Sequence, residues 1–399
     1  MTVTVARRLG LAHHRRVPPF SLYIHIPYCD AKCPYCDFNS YAVKRWPEKA
    51  YRDALIAEMA SYASTPDWQG GELQTIFFGG GTPSLFAPES IAALLEAARE
   101  RWPRLRPRIE ITLEANPGTV DAAKLRGFAA AGVNRISFGV QSFQPCLLVR
   151  LGRIHGREEA VAALTDAGTA GFDDVNLDLM FAVPGQTLPE WESDLATAVA
   201  LSPTHISAYN LTYEDGTPFA AWRRSGALAP VAEEAEVAMF TRTQAVLAAH
   251  GYAQYEISNY ARPGRACAHN LNYWRAGAYL GLGAGAHSFA RRPDPGRRWS
   301  NEKSPERYIE RIRAQGQARV TDETLSPEQA RGEFVFLGLR CRSGFHGAEF
   351  TERFGLDFAR AFPHAETFVR DGFLEHAAGW WRLSERGVLF GDSIFATFL

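Results

Sequence analysis

Runs of apolar and alternating residues recur through the first half of the chain. They stand at SLYIHI (21–26), QTIFF (74–78), RIEITLE (108–114), NRISFGV (134–140), DVNLDLM (174–180) and THISAYN (204–210), and each reads as a strand. Between them lie helical patterns, PEKAYRDALIAEMASYA, PESIAALLEAARER, DAAKLRGFAAAG and GREEAVAALTDAG, several opened by Pro or Asp and closed near Gly. Six βα units fit between Ser21 and about Leu211. Parallel strands with crossover helices build either an open doubly wound sheet or a barrel, and periodicity alone does not choose between them.

Polar residues gather where these strands end. Gly79 to Thr82 follow the second strand, Glu114 ends the third, Gln141 follows the fourth and Asp178 lies in the fifth. In a parallel βα architecture the carboxyl ends of the strands open on one face, where binding loops collect. One carboxylate there is explained by helix capping, whereas the whole set points to a site.

After the first strand comes YCDAKCPYCDF, with Cys29, Cys33 and Cys36 in a C-x3-C-x2-C spacing. A structural zinc site takes four protein ligands, commonly two C-x2-C pairs, and no second pair exists in the sequence. An iron-sulfur cluster on three thiolates leaves one iron open for an outside ligand. The six cysteines are too few for a disulfide framework, and the clustered three fit a reducing, cytoplasmic setting.

Charge excludes some partners. The 43 basic and 44 acidic side chains nearly cancel, so no global field draws the chain to nucleic acid, and any membrane contact is local and peripheral. No apolar run approaches the ~20 residues of a spanning helix, so no transmembrane segment is expected. The opening, with Arg7, Arg8, Arg15 and Arg16 and no acid before Asp30, reads as a basic arm over residues 1–18.

C-x3-C-x2-C after a strand, with an aromatic residue before the last cysteine, resembles the signature of radical S-adenosylmethionine enzymes. The resemblance implies a 4Fe-4S cluster on Cys29, Cys33 and Cys36, S-adenosylmethionine at its open iron, and an electron donor such as a flavodoxin or ferredoxin. GGGTP after the second strand fits this order, its glycines expected to let backbone N–H groups approach the cofactor.

YIHIPYC, GGGTPS, LEANPG, NRISFGVQSF, DVNLDLMFAVPGQT and YEISNYARPG follow in order the oxygen-independent coproporphyrinogen III oxidase family, over most of the chain. That resemblance implies an incomplete (β/α)6 barrel with a smaller C-terminal winged-helix-like domain. It also implies cofactor contacts at Tyr23, Gly80, Glu114, Gln141, Arg153 and Asp178, with Gly81, Thr82 and Tyr35 near a second cofactor position. True oxidases carry a further cysteine two places after the third, where this chain has Phe38, and have a longer lead before the cluster. Phe38 and HNLNYW, His269 to Trp274, are similar instead to the HemW-type branch of haem chaperones.

That branch implies haem as cargo and a haem-acceptor protein as partner. In HNLNYW a helix would place His269 beside Tyr273, offering an axial nitrogen next to an aromatic wall, with Cys267 and His287 as rival ligands. ARRPDPGRRW suggests a propionate clamp of Arg291, Arg292, Arg297 and Arg298. From about Ser326, short helices and a two-stranded wing suggest a winged helix. Eight arginines against ten acids there, with no lysine, give −2, the wrong sign for DNA.

The expected division is an arm (1–18), a barrel with the cluster and cofactor face (19–230), a connecting segment with HNxxYW (231–320) and the winged-helix-like domain (321–399). Two functions stand: a haem chaperone on a radical S-adenosylmethionine scaffold, or an oxidase or other radical enzyme acting on a tetrapyrrole. Phe38 argues against decarboxylation of coproporphyrinogen III.

Overall fold

The computed structural model of the protein describes residues 17–399, so the basic arm falls outside them apart from its last two residues. Six parallel strands lie side by side in chain order: β1 (Phe20–Ile26), β2 (Leu73–Gly80), β3 (Leu105–Ala115), β4 (Arg135–Gln141), β5 (Asp174–Phe181) and β6 (His205–Asn210). The crossovers between them carry α1 (Glu48–Ala63), α2 (Pro88–Arg101), α3 (Ala122–Ala131), α4 (Arg157–Thr169) and α5 (Leu188–Ala200). Local signals set the helix ends. The Asp121 carboxylate accepts the Lys124 N–H at 2.7 Å to open α3, and Gly132, at φ +108°, closes it in the left-handed region where a side chain would be strained.

The strands alternate because their two faces differ. Ile111, Leu113, Ile136, Phe138, Leu177, Leu179 and Ile206 are buried in the apolar core. The residues between them, Thr112, Glu114, Arg135, Ser137, Asn176, Asp178, His205 and Ser207, face the interior of the curve. Parallel strands covered on both faces are usually apolar throughout; here the polar alternation marks a concave face that lines a cavity.

The six strands do not close into a ring. Beyond β6 the sheet adds β7 (Ala253–Gln254), after α6 (Glu233–Ala249), and β8 (Asn259–Ala261). Beyond β1 it adds β9 (Ala278–Leu282), parallel to β1, and then antiparallel β10 (His287–Ala290), β11 (Arg297–Asn301) and β12 (Arg319–Thr324). The sequence segment read as a connection thus supplies β7 to β11. With two to five residues each, these strands are too short to show a period.

The HNLNYW stretch is helical, as α7 (Ala268–Trp274), followed later by α8 (Pro305–Gln315) and α9 (Pro327–Arg340). The C-terminal unit has its own core around Phe334, Phe350, Phe358 and Trp381. Its wing pairs 374–377 with 380–383 through Ala378 and Gly379, both at positive φ as a two-residue hairpin requires. Arg340 stacks over Trp274 with its guanidinium 4.6 Å from the ring centroid, seating this unit against α7.

Glu58 of α1 ties the added strands to the barrel. It is fully buried and accepts from the Gly283 N–H (3.0 Å), Asn301 Nδ2 (2.7 Å) and the Tyr308 hydroxyl (2.7 Å). Burial outweighs the three donors and holds its carboxyl up at about 7. Glu58→Ala strands three buried donors at ~1–3 kcal/mol each, so it should lower unfolding stability by about 3 kcal/mol or more. Asp53→Ala, on the exposed side of α1, should cost under ~1 kcal/mol in the same denaturation experiment.

Candidate functional site

The cysteine loop is fixed at both ends. Cys36 donates its N–H to the Cys33 carbonyl at 3.2 Å, and Lys32 Nζ reaches the Phe38 carbonyl (2.7 Å) and Ser40 Oγ (2.6 Å), folding the loop back on itself. Polar hydrogens surround the three thiols. Thr82 Oγ1 donates to Cys29 Sγ at 3.5 Å, Arg153 Nη1 to Cys33 Sγ at 3.4 Å, and Ser40 Oγ lies 3.9 Å from Cys36 Sγ. Such donors favour thiolates and the sulfur atoms of a cluster. Burial, more than the neighbouring sulfurs, holds the Cys29 thiol above its ordinary value.

These cysteines open on a cavity of about 760 Å³ along the concave face of the sheet. Cys29, Cys33, Cys36, Tyr35, Gly80, Gly81, Thr82, Glu114, Gln141, Arg153 and Asp178 all line it. Asp178 is held by Ser137 Oγ (3.1 Å) and Asn176 Nδ2 (2.8 Å), and Arg153 Nη2 donates to the Gly139 carbonyl. Gln141 sits at φ +70° beside a register shift in β4, with its amide close to Gly139.

The glycines serve a purpose other than the expected one. Gly80 donates its N–H to Glu114 Oε2 (3.2 Å), Gly81 to the Ile26 carbonyl (2.8 Å) and Thr82 to the Tyr28 carbonyl (2.8 Å), so these groups are engaged inside the protein. A Cβ on Gly80 would stand 2.5 Å from the His25 ring, and one on Gly81 would stand 2.6 Å from the Tyr28 carbonyl oxygen. Glycine is required here for close packing of two chain segments.

Two expected residues lie apart from this cavity. Tyr23 lines a neighbouring cavity of about 540 Å³, with its hydroxyl 3.0 Å from His25 Nδ1. His269 lines neither: it is buried, its Nδ1 2.7 Å from Thr75 Oγ1 and its Nε2 2.9 Å from the Tyr273 hydroxyl. Thr75 Oγ1 in turn donates to Ser21, so His269 holds its proton on Nδ1 and accepts at Nε2. As folded, it presents no free nitrogen to an iron. Glu110 turns it inward by accepting the Ala268 and His269 N–H groups, both at 2.9 Å, at the start of α7.

The arginine clamp also fails to assemble. Arg297 pairs with Asp322, and Arg298 pairs with Glu323 and Glu333, so two of the four guanidiniums are already neutralised.

Comparison with known proteins places this geometry. The Radical SAM superfamily profile matches residues 23–198 and the HemN C-terminal domain profile matches residues 325–390. Coproporphyrinogen III oxidase (HemN) from Escherichia coli, a radical SAM enzyme, superposes with a TM-score of 0.81 at 25% identity, over 96% of this chain and 90% of that one. The heme chaperone HemW of Escherichia coli is 41% identical over 394 residues, 96% of this chain and 99% of that protein. The chain belongs to the HemW family. The Bacillus subtilis HemW protein is a further relative, 36% identical over 95% of this chain and 99% of its own length.

In this HemW-family member the fold agrees with the expectation of an incomplete radical SAM barrel followed by a smaller C-terminal domain, and that domain, expected as winged-helix-like, matches the HemN C-terminal domain profile. Sequence reasoning missed Arg135, Asn176, Ser137, His205, Ser207, Tyr209 and Asn270, all of which line the large cavity. The signal was present, since in RISFGVQ, NLDLM and HISAYN every second residue from the start of the run is polar or glycine up to the strand end, apart from Met180 and Tyr209.

Glu114 is a strongly perturbed carboxyl of this site. Burial, then the charge of Asp178, push it up to about 8, against one opposing hydrogen bond from Gly80. The folded state then binds a proton that the unfolded chain has lost, so stability contributed by this group falls as pH rises from about 4.5 to about 8. Infrared titration of the ligand-free protein should show a protonated carboxyl band that fades near pH 8 and is missing from Glu114→Gln. A band already lost by pH 5 would contradict this assignment.

Proposed function

We propose that this protein is a haem chaperone: it binds haem for transfer to an acceptor protein, on a scaffold that holds a 4Fe-4S cluster and S-adenosylmethionine. The observation that carries this reading is the position of Phe38. It is 63% exposed at the rim shared by both cavities, where the related oxidases place a further thiol. An apolar ring there offers a macrocycle a surface and removes a reactive group.

Cys29, Cys33 and Cys36 would hold the cluster. Among the described residues no three His, Cys, Asp or Glu side chains converge closely enough for a single metal ion. The C-x3-C-x2-C set supplies three thiolates, one short of the four protein ligands that a structural zinc site takes. The cluster supplies one-electron transfer to the bound cofactor. Ala31 and Lys32 are exposed and line the same cavity beside the cysteines, where an electron donor such as a flavodoxin or ferredoxin would approach.

Glu114 and Asp178 would accept from ribose hydroxyls or an amino group, and Arg153 and Gln141 would donate to cofactor oxygens. Tyr35, Gly80, Gly81 and Thr82 would close the cluster end of that site, with Tyr23 at its border. No helix among the described residues is long and apolar enough to cross a membrane. The free thiols fit action in the reducing cytoplasm.

Anaerobic reconstitution should yield one 4Fe-4S cluster per chain, lost on replacing Cys29, Cys33 or Cys36 by serine and kept in Cys146→Ser and Cys341→Ser. Asp178→Ala should weaken S-adenosylmethionine binding about tenfold to a hundredfold, the ~1.5–3 kcal/mol of one charge-assisted hydrogen bond. The reconstituted protein should bind haem and leave coproporphyrinogen III unchanged. Protoporphyrinogen IX formed at enzymatic turnover would establish an oxidase instead.

A further inference from the structure

Two imidazoles line the second cavity and a third stands behind its wall, and they differ in what their nitrogens do. His25 is closed on both sides, with Nδ1 against the Tyr23 hydroxyl and Nε2 2.8 Å from the Asn39 carbonyl. His269, behind the wall, is closed by Thr75 and Tyr273. His287, at the start of β10, is exposed, lines the cavity, and has no side-chain hydrogen-bond partner among the described residues.

Its rings and one cation suit a flat apolar ligand with acidic groups, and of the two carboxyls that also line it, Asp37 and Glu114, the second is held protonated by burial. Phe38, Tyr41, Tyr273 and Tyr279 supply ring surface. Tyr273 and Tyr279 meet edge to face with centroids 4.7 Å apart, forming one continuous wall. Lys303 also lines the cavity. Its ammonium has no carboxylate partner among the described residues, while its charge reaches His287. At about 540 Å³ the cavity falls within the ~300–1,000 Å³ of small-molecule sites.

We infer that haem occupies this second cavity, with His287 as its axial ligand, Lys303 receiving a propionate and the Tyr273–Tyr279 wall against the macrocycle. This rests on the chaperone function proposed above and specifies its site. Partial desolvation at the cavity wall, with the charges of Lys303 and Arg298, holds the His287 imidazole below its ordinary value even though its edge is open to solvent, which favours the neutral form that ligates iron. His269 is then a positioning residue: it accepts the Tyr273 hydroxyl and fixes the wall, so the HNxxYW helix acts on haem through Tyr273.

The test is titration of ferric haem into the cluster-reconstituted protein and its variants, read by the Soret band and by affinity. His287→Ala should lose the imidazole-ligated spectrum and at least tenfold in affinity, and added free imidazole should restore the spectrum. His269→Ala should weaken binding but keep the ligated spectrum. Circular dichroism and the cluster absorption report that each variant is folded; His287 is exposed, so its removal should leave both unchanged. Wild-type binding with an unaltered His287→Ala spectrum overturns the ligand assignment alone, as does loss of ligation in His269→Ala with His287 intact. No haem bound by the wild type overturns the chaperone function and the assignment with it.

Discussion

The site depends on one close contact between two stretches of backbone. Where β1 and β2 end, Gly81 and Thr82 donate their N–H groups to the carbonyls of Ile26 and Tyr28, and Gly80 packs against the His25 ring. This seam places Cys29, one residue beyond Tyr28, against Thr82, and brings Glu114 to Gly80 from the third strand. Only glycine permits the approach at Gly80 and Gly81, so the cysteine loop and the carboxylate face are positioned by a steric condition. The polar inner face of the sheet then extends the site away from the loop, as alternate residues of β3 to β6 turn inward.

The barrel was legible because its inner face is polar. Alternation in NLDLM or HISAYN sets Asn176, Asp178, His205 and Ser207 apart from the apolar residues between them, and pairing in chain order follows from short helical crossovers. The wing was legible too, through its apolar runs around Ala378 and Gly379. Strands β7 to β11 were not, because runs of two to five residues show no period and gain their stability from the sheet edge they join.

At the site, sequence spacing showed that His269 and Tyr273 share a helical face. It did not show which way that face turns. The direction is set by Glu110, more than 150 residues earlier, which caps α7 and points the pair into the protein. Of the two imidazoles that line the second cavity, His287 is the one without a side-chain hydrogen-bond partner among the described residues; it belongs to no motif and gains meaning only from the rings that line the same cavity.

Two cavities share a wall of Gly80, Glu114 and Phe38, one holding the cysteines and the inward carboxylates, the other holding His287 and the aromatic rings. Under the proposed assignment, this division would let one chain keep its cluster and cofactor while carrying a separate cargo. The most direct test is titration of haem into cluster-loaded protein saturated with labelled S-adenosylmethionine, with both ligands quantified by equilibrium dialysis. The account predicts one haem taken up per chain with S-adenosylmethionine retained. Displacement of S-adenosylmethionine mole for mole by haem would contradict it.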